Sequence, residues 1–168
     1  MLFVREIERD KWLERAELDS VSVSDLQTPD NDISVWEVQS NLSDIDDVAL
    51  AVMMRRDRVQ EITMVYLDSD ELAQKYNIGM NKLEGNSYFA EMNSKHSNFM
   101  VPTFWEMGYL TEHIQEKLKN PDVNIKYYSE PEMKQLLLAA YKGKRIPADI
   151  IKENGKFKKA LKSLGVAI

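Results

Sequence analysis

Residues 33–67 read ISVWEVQSNLSDIDDVALAVMMRRDRVQEITMVYL, and this stretch decides the fold class. Its first six residues alternate with period two and are rich in β-formers, which predicts a strand. Residues 45–56 are apolar on every side at their centre, which predicts a helix that is covered on both sides. Residues 62–67 predict a second strand. A strand, a helix and a strand in succession indicate a β-α-β unit.

Shorter elements are expected on both sides of this unit. Strands and helices are predicted at residues 2–7, 103–119, 123–128 and 129–141. The helix at residues 103–119 has one apolar stripe, predicted to be buried, formed by Phe104, Met107, Thr111, Ile114 and Leu118. Residues 20–32 and 77–100 contain many turn-forming residues, which predicts irregular structure with at most a short strand at residues 87–92. We therefore expect an α/β or α+β fold with a small mixed sheet of about three to five strands and flanking helices.

The chain length and composition suit one soluble domain. We expect residues 1–168 to form a single globular domain with a basic helical C-terminal part at about 134–168. No apolar run approaches the roughly 20 residues that span a bilayer, and residues 1–10 lack the pattern of a signal peptide. The expected location is the cytoplasm, without a membrane partner.

The counts of cysteine and histidine limit the chemistry. The chain has no Cys, which excludes disulfides, thiolate metal sites and cysteine nucleophiles. His96 and His113 are too few for a three-histidine zinc site. His96 lies in a polar stretch predicted as a loop, so it is a candidate catalytic base, or simply a solvated residue. His113 lies beside an apolar helical stripe and is predicted to pack there.

Charge is segregated along the chain. Residues 16–54 contain no Lys or Arg but nine acids, whereas residues 134–168 contain nine bases and two acids. Such polarity indicates charged binding surfaces, although acids also solubilise a loop-rich surface. The acids predicted to bind a partner are spread over a loop, a strand and a helix start: Asp25, Asp30, Asp32, Glu37, Asp44, Asp46 and Asp47. A negative face of this kind suits a protein that covers a basic surface.

The best indication of an enzyme is Val65–Asp70, VYLDSD, where an apolar strand ends in Asp-x-Asp. Two carboxylates at a strand end can hold Mg²⁺ or Mn²⁺ against a phosphate. The segment resembles the Asp-x-Asp motif of GT-A glycosyltransferases and the first motif of haloacid-dehalogenase-like phosphatases. The first resemblance implies that Asp68 and Asp70 coordinate a metal bound to a nucleotide-sugar. The other interpretation is a helix N-cap, where Ser and Asp are favoured.

The basic tail offers a third possibility. A helix at residues 156–164 turns Phe157 and Leu161 inward, and its outward lysines are candidate contacts for nucleic acid: Lys156, Lys158, Lys159 and Lys162. The alternatives are a solvated amphipathic helix or a helix docked on the acidic part of the same chain.

Charge segregation without a catalytic constellation makes an interaction protein the leading hypothesis. We expect a non-enzymatic subunit of bacterial type that binds a protein partner or a second copy of itself without a cofactor. Accessory, immunity, antitoxin-like and defence-system components belong to this class. The first alternative is a small Mg²⁺- or Mn²⁺-dependent enzyme that acts on a phosphate-containing or nucleotide-sugar substrate through Asp68 and Asp70. The second is a nucleic-acid-associated subunit that uses the basic tail.

Overall fold

A computed structural model describes residues 1–13, 19–28 and 30–167 and places one sheet at the centre of the fold. Within these ranges the sheet has six strands: β1 Leu2–Glu6, β2 Asp32–Glu37, β3 Ile62–Asp68, β4 Gly79–Lys82, β5 His96–Met100 and β6 Ile125–Tyr128. Their order is β4-β5-β2-β1-β3-β6, and every neighbouring pair is antiparallel. The α/β class is confirmed, with slightly more strands than predicted and an antiparallel sheet in place of a mixed one.

The predicted strand–helix–strand unit is present, and β1 lies between its two strands. Strand β2, helix α3 (Ile45–Met54) and β3 follow one another along the chain. Val4 of β1 lies opposite Trp36 on one side and Tyr66 on the other. Because β1 is antiparallel to both neighbours, β2 and β3 run parallel to each other and the helix crosses over one intervening strand.

Helices cover both faces of this sheet. Besides α3 they are α1 Arg9–Trp12, α2 Ser20–Ser24, α4 Ser69–Tyr76, α5 Phe104–Leu118, α6 Pro121–Asn124, α7 Glu130–Lys142, α8 Ala148–Glu153 and α9 Gly155–Ser163. One core lies between the sheet and α3, α7, α8 and α9, and the other lies between the sheet and α1, α4 and α5. Alternation along β1 places Val4 in the first core and Phe3 in the second.

Helix α3 is buried, as its apolar centre predicts. Eight of its ten residues are buried, and it packs between β3 and α7. Asp46 and Asp47 lie in its first turn, where negative charge is favoured by the helix dipole. The C-terminal part of the chain therefore contributes directly to the core, because α7 and α9 complete the covering of α3.

The prediction of irregular structure at residues 20–32 is wrong in part, because Ser20–Ser24 is helical. The Asp19 side chain caps this helix by accepting hydrogen bonds from the amides of Val21 at 2.8 Å and Ser22 at 3.1 Å. Ser and Asp favour turns and helix caps alike, so composition alone does not separate the two.

The prediction for residues 77–100 is also wrong in part. Strands β4 and β5 lie there, while residues 87–92 hold no strand and lead into a 3₁₀ helix at Ala90–Lys95. Strand β5 has the polar sequence HSNFM, yet its first four residues are buried. It is paired on one side with β2 and on the other with β4, and the side chains of His96 and Asn98 form hydrogen bonds with Ser34 and Asp32 of β2. Nowhere in the described ranges is a helix long and apolar enough to cross a membrane.

Candidate protein-interaction surface

The first turn of α5 carries two aromatic side chains into solvent. Thr103 is the N-cap of this helix, and its hydroxyl oxygen accepts a hydrogen bond from the Trp105 amide at 3.2 Å. Phe104 is 84% exposed and Trp105 is 75% exposed. The prediction that Phe104 is buried is wrong, because the core that contains Met107 and Ile114 does not extend to this first turn.

Two tyrosines extend this exposed apolar area. Tyr109 lies four residues after Trp105, so the two side chains are neighbours on the helix surface. Tyr109 is 41% exposed, and its ring stacks on Tyr76 of α4 with 5.1 Å between the centroids and 17° between the planes. We call Phe104, Trp105, Tyr109 and Tyr76 the aromatic surface. Trp105 and the tyrosines combine large contact area with polar groups, which suits them to protein contacts.

A shallow groove of about 630 Å³ lies beside Phe104. Its lining includes Thr28, Asn31, Pro102, Phe104 and Met107. The Val101 amide donates to the Asn31 carbonyl at 2.9 Å, which joins the start of β2 to the segment before α5. The groove therefore lies where two parts of the chain that are distant in sequence meet.

Acidic side chains border the aromatic surface. Asp30 is exposed beside the groove, Glu106 lies in the first turn of α5, and Glu112 is exposed three residues after Tyr109. The segments that carry Phe104, Trp105 and the groove lack Lys and Arg, since none occurs at residues 16–54 or at residues 97–116. The electrostatic environment of Phe104 and Trp105 is therefore negative, whereas Lys75 lies over the Tyr76 ring and near Glu112.

The first group of predicted partner-binding acids lies near this region. Asp30 is exposed, whereas Asp32 is half-buried and its Oδ2 accepts a hydrogen bond from Nδ2 of Asn98 at 3.0 Å. Asp25 accepts hydrogen bonds from Nε1 of Trp12 at 2.7 Å and from the Glu8 amide at 3.1 Å. Asp30 is thus exposed beside the groove, while Asp25 and Asp32 make contacts within the chain.

The other predicted acids lie toward the opposite end of β2. Glu37, the last residue of β2, is 3.8 Å from Nζ of Lys82. Asp44, Asp46 and Asp47 follow at the start of α3, and a strand of six residues such as β2 is about 20 Å long. The structure therefore does not bring the seven acids together on one face. Glu17, a further acid of the base-free stretch, lies outside the described residues.

Each of the three acids at the start of α3 has a partner within the chain. Asp44 pairs with Lys95, Asp46 accepts from the Tyr128 hydroxyl at 2.5 Å, and Asp47 pairs with Arg145. Burial alone would raise the pKa of Asp44, but hydrogen bonds from Lys95 and from the Gln39 amide outweigh it and hold the pKa below its ordinary value.

The predicted nucleic-acid lysines do not form one free face. Nζ of Lys156 donates to the Met54 carbonyl at 3.2 Å and also to the Arg56 carbonyl, so it caps the C-terminal end of α3. Burial lowers the pKa of Lys156. Lys158 is half-buried, and Lys159 and Lys162 are exposed.

Asp68 and Asp70 lie at the start of α4, where Asp68 is the N-cap. Its Oδ1 accepts hydrogen bonds from the amides of Asp70 at 2.8 Å and Glu71 at 3.1 Å, and these bonds lower the pKa of Asp68. Oδ2 of Asp70 accepts from the Met1 amino group at 2.9 Å. Across the described ranges, no group of three or more His, Cys, Asp or Glu residues is placed to hold a metal ion. The binding of Mg²⁺ or Mn²⁺ by Asp68 and Asp70 stays a prediction.

His96 is buried in β5, so its prediction as a loop residue is wrong. Its ring makes an edge-to-face contact with Trp36, with 5.0 Å between the centroids. Its Nε2 lies 2.6 Å from the hydroxyl of Ser34, a hydrogen-bonded pair that the sequence did not indicate. A hydroxyl hydrogen-bonded to an imidazole is one part of the arrangement that activates a nucleophile. The Leu83 carbonyl is hydrogen-bonded to Nδ1 of the same ring. His113 is buried against Tyr76, as predicted.

The aromatic surface was missed by sequence reasoning, although a signal was present. Helix α5 has more apolar residues than one stripe can hold, because Trp105 and Tyr109 fall outside the stripe that contains Met107 and Ile114. No protein-family model matches this chain, and neither a curated protein nor a solved structure matches it. The functional proposal therefore rests on geometry and charge.

Proposed function

We propose that this protein is a non-enzymatic interaction subunit that binds a basic protein partner through the aromatic surface. The observation that carries the proposal is the exposure of Phe104 and Trp105, consecutive residues in the first turn of α5, at 84% and 75%. Aromatic residues are enriched in the buried centres of protein interfaces, and Trp and Tyr are over-represented among the residues that dominate binding energy. Covering these rings removes apolar area from water, which contributes about 25 cal/mol of favourable free energy for each Å² buried.

The acidic border defines the chemistry of the partner. Glu106, Glu112 and Asp30 favour a surface that carries Arg or Lys, and they oppose anionic lipid and nucleic acid. An arginine of the partner also gains a cation–π contact with an exposed ring. Within the chain, Nζ of Lys75 already lies 4.9 Å from the centroid of the Tyr76 ring.

The groove beside Phe104 supplies a place for an anchoring side chain. High-affinity contacts usually centre on one or two side chains that fill a pocket on the partner. A partner residue inserted between Pro102 and Asn31 would contact Phe104 and Met107 along the groove. This role is that of an accessory, immunity or antitoxin-like subunit which covers a basic surface on another protein.

The test is a comparative pull-down from the native host at low salt, in the presence of nuclease. The tagged wild type is compared with the double variant Phe104→Ala/Trp105→Ala and with Val123→Ala. Val123 is a matched control because it is also 75% exposed but lies in α6. We expect one protein in stoichiometric amount with the wild type and with Val123→Ala. Its recovery with the double variant should fall at least tenfold, as expected for loss of about 1.4 kcal/mol or more.

Two results would contradict the proposal. One is equal recovery of the same protein with the double variant, and the other is retention that disappears with nuclease, which would favour the basic tail. Self-association is tested by sedimentation velocity of the purified chain. We expect a monomer, and a dimer that dissociates in the double variant would replace the basic partner with a second copy.

The acidic border is tested separately with Glu106→Gln/Glu112→Gln. Removing these charges should slow association with the isolated partner severalfold and weaken the salt dependence of the rate, because they steer a basic surface. Glu116→Gln is the control, since Glu116 lies on the same helix and is paired with Lys119. An unchanged salt dependence would remove the argument for a basic partner.

A further inference from the structure

The sheet opens between β1 and β2, and a second site lies at this opening. These strands are paired at Phe3–Glu37 and Val4–Trp36, whereas the pairings of β1 with β3 and of β2 with β5 each extend over five residue pairs. Beyond Val4 lies a pocket of about 250 Å³, and its lining residues are Arg5, Glu6, Ser34, Trp36, Val52, Arg55 and Arg56. We call it the arginine pocket. The two arginines that follow α3 reach it from one side, and Arg5 lies in the opening itself.

The charges of the pocket do not balance. Nε of Arg56 donates to both oxygens of Glu6, at 3.0 and 2.9 Å, so these two residues neutralise each other. Arg5 and Arg55 form no salt bridge with any residue of the described ranges. The lining holds three arginines and one glutamate, and Asp25 nearby also acts on Arg5 and Arg56, so the region keeps an excess of positive charge.

Burial makes the positive charge of Arg5 costly, whereas Arg55 is exposed. Burial lowers the pKa of Arg5, although Asp25 and Glu6 oppose the effect. Partial desolvation lowers the pKa of Arg55, and the neighbouring Arg56 adds to the effect. Guanidinium groups stay protonated in proteins, so the cost appears as unfavourable energy of the empty pocket. A bound anion removes part of this cost.

Arg5 retains an unused hydrogen-bond donor. Its Nη1 donates to the Ser34 carbonyl and its Nη2 to the Asp25 carbonyl, both at 3.2 Å. Its Nε is buried and has no hydrogen-bond partner in the described part of the chain. Buried donors are almost always satisfied, so this unpaired nitrogen adds to the cost of holding the Arg5 charge at the site.

The Ser34 hydroxyl is held in a defined orientation at the wall of the pocket. Nδ1 of His96 lies 2.8 Å from the Leu83 carbonyl, which accepts hydrogen bonds only, so Nδ1 carries the ring proton. Nε2 is then an acceptor, and the Ser34 hydroxyl donates to it at 2.6 Å. The Ser34 oxygen in turn accepts from Nη1 of Arg55 at 3.2 Å. This series of hydrogen bonds fixes Nη1 of the Arg55 guanidinium and leaves its other nitrogens for a ligand.

We propose that the arginine pocket binds a doubly negative phosphate group, with Arg5 and Arg55 as its cationic donors. The planar guanidinium fork matches two phosphate oxygens, which gives bidentate, charge-assisted hydrogen bonds. The excess of positive charge in the pocket favours an anion such as a phosphate monoester near neutral pH. The volume is just below the usual range for small-molecule sites, which limits the ligand to free phosphate or a small ester.

The experiment is calorimetric titration of the full chain at pH 7.5 with inorganic phosphate and, separately, with phenyl phosphate. Sodium acetate at the same ionic strength is the monoanion control. We expect one saturable site for phosphate and at least tenfold weaker binding of acetate. Tighter binding of phenyl phosphate assigns the site to an ester, and equal or tighter binding of inorganic phosphate assigns it to the free ion.

Arg55→Gln and Arg58→Gln form a matched pair of variants. Arg58 is exposed three residues after Arg55, and its Nε donates to the Gln60 side chain at 2.9 Å, outside the pocket. Arg55→Gln should weaken phosphate binding at least tenfold, the effect expected for a hydrogen bond to a charged group. Arg58→Gln should leave it within twofold.

Phosphate should also raise the thermal unfolding temperature of the wild type and of Arg58→Gln, but not of Arg55→Gln. This readout separates lost binding from lost folding in the variant. No saturable binding of either phosphate by the wild type would overturn the proposal. Equal losses in the two variants would also overturn it, because they would indicate general charge attraction. The test is independent of the aromatic surface, which lies on α5 and α4.

Discussion

Arg145 binds Asp47 through two parallel hydrogen bonds, from Nη1 to Oδ1 at 2.8 Å and from Nη2 to Oδ2 at 2.7 Å. These residues are 98 positions apart, and they join the base-rich C-terminal part to the acid-rich stretch. Nε of Arg145 also donates to Glu91 at 2.7 Å. The segregation of charge along the chain is therefore partly neutralised within the fold at the start of α3. The acids that border the aromatic surface lie elsewhere.

The contact between Arg145 and Asp47 is expected to stabilise the fold modestly. The side chains of Arg145 and Asp47 are 41% and 32% exposed, so solvent screens their attraction. We expect Arg145→Gln to lower the free energy of unfolding by about 1 kcal/mol, measured by urea denaturation. A double-mutant cycle with Asp47→Asn should give a coupling that shrinks with added salt. A coupling of zero at low salt would contradict this role, and Lys142→Gln serves as the surface control.

Gly108 is expected to make the fold less stable than alanine would at this position. It lies in the middle of α5, and a Cβ built on it would meet no atom within 4 Å. We expect Gly108→Ala to raise the free energy of unfolding by about 0.5–1 kcal/mol, because glycine weakens a helix interior. Gly155→Ala is the comparison, since Gly155 also has open space but is the first residue of α9, and its effect should be smaller. A loss of stability in Gly108→Ala would contradict the open space beside Gly108.

Stability should fall as the pH decreases through the region below 6.5. Burial lowers the pKa of His96 below its ordinary value of 6.5, with Arg55 adding to the effect and the Leu83 carbonyl opposing it. Burial lowers the pKa of His113 in the same way, against the opposing charge of Glu71. The unfolded chain therefore binds protons at a pH where the folded chain does not, and acid favours unfolding. The measurement is urea unfolding at pH 7.5 and 5.5.

Single variants identify the histidines that cause this pH dependence. His96→Gln and His113→Gln should each show a smaller loss of stability between the two pH values than the wild type. Ring resonances in two-dimensional NMR should titrate below pH 6.5 for both residues. A wild type whose stability does not change over this range would contradict the burial of these neutral rings.

Lys156 is expected to act as a structural residue. Its Nζ donates to carbonyls of Met54 and Arg56 at the C-terminal end of α3. Lys156→Ala should lower the free energy of unfolding by about 1–2 kcal/mol, because it leaves these carbonyls without their donor. Lys159→Ala, at an exposed neighbouring position, should change it by less than about 0.5 kcal/mol. Equal effects in the two variants would contradict the capping role.

The part of the fold that sequence predicts well is the part in which hydrophobic periodicity is strong. Strands β2 and β3 and helix α3 follow directly from alternation and from the all-apolar centre at Val48–Met54. The capping box at Ser129 and Glu132 correctly marks the start of α7. Strand β5 was missed because Ser97 and Asn98 are polar, and their burial depends on pairing with strands distant in the sequence.

The candidate sites were harder to predict, because each depends on which surfaces the fold leaves uncovered. The spacing of Phe104 places it on the apolar stripe of α5, and its exposure becomes clear only when the position of α5 against the sheet is known. The arginine pocket combines Arg5, Ser34 and Arg55 from three elements, and no spacing in the sequence relates them. The sequence predicts that the acids at the start of α3 belong to one partner-binding face, but each of them has a partner within the chain.

The most direct test of the central claim is site-specific photocross-linking in the native host. Benzoylphenylalanine is placed at position 109, in the aromatic surface, and at position 88 as a matched control. Tyr109 and Tyr88 are 41% and 45% exposed, so the two positions differ in location and not in accessibility. We predict one discrete adduct with a basic protein from position 109, lost in the Phe104→Ala/Trp105→Ala background, and none from position 88. Equal adducts from both positions, or none from position 109, would contradict the proposed function.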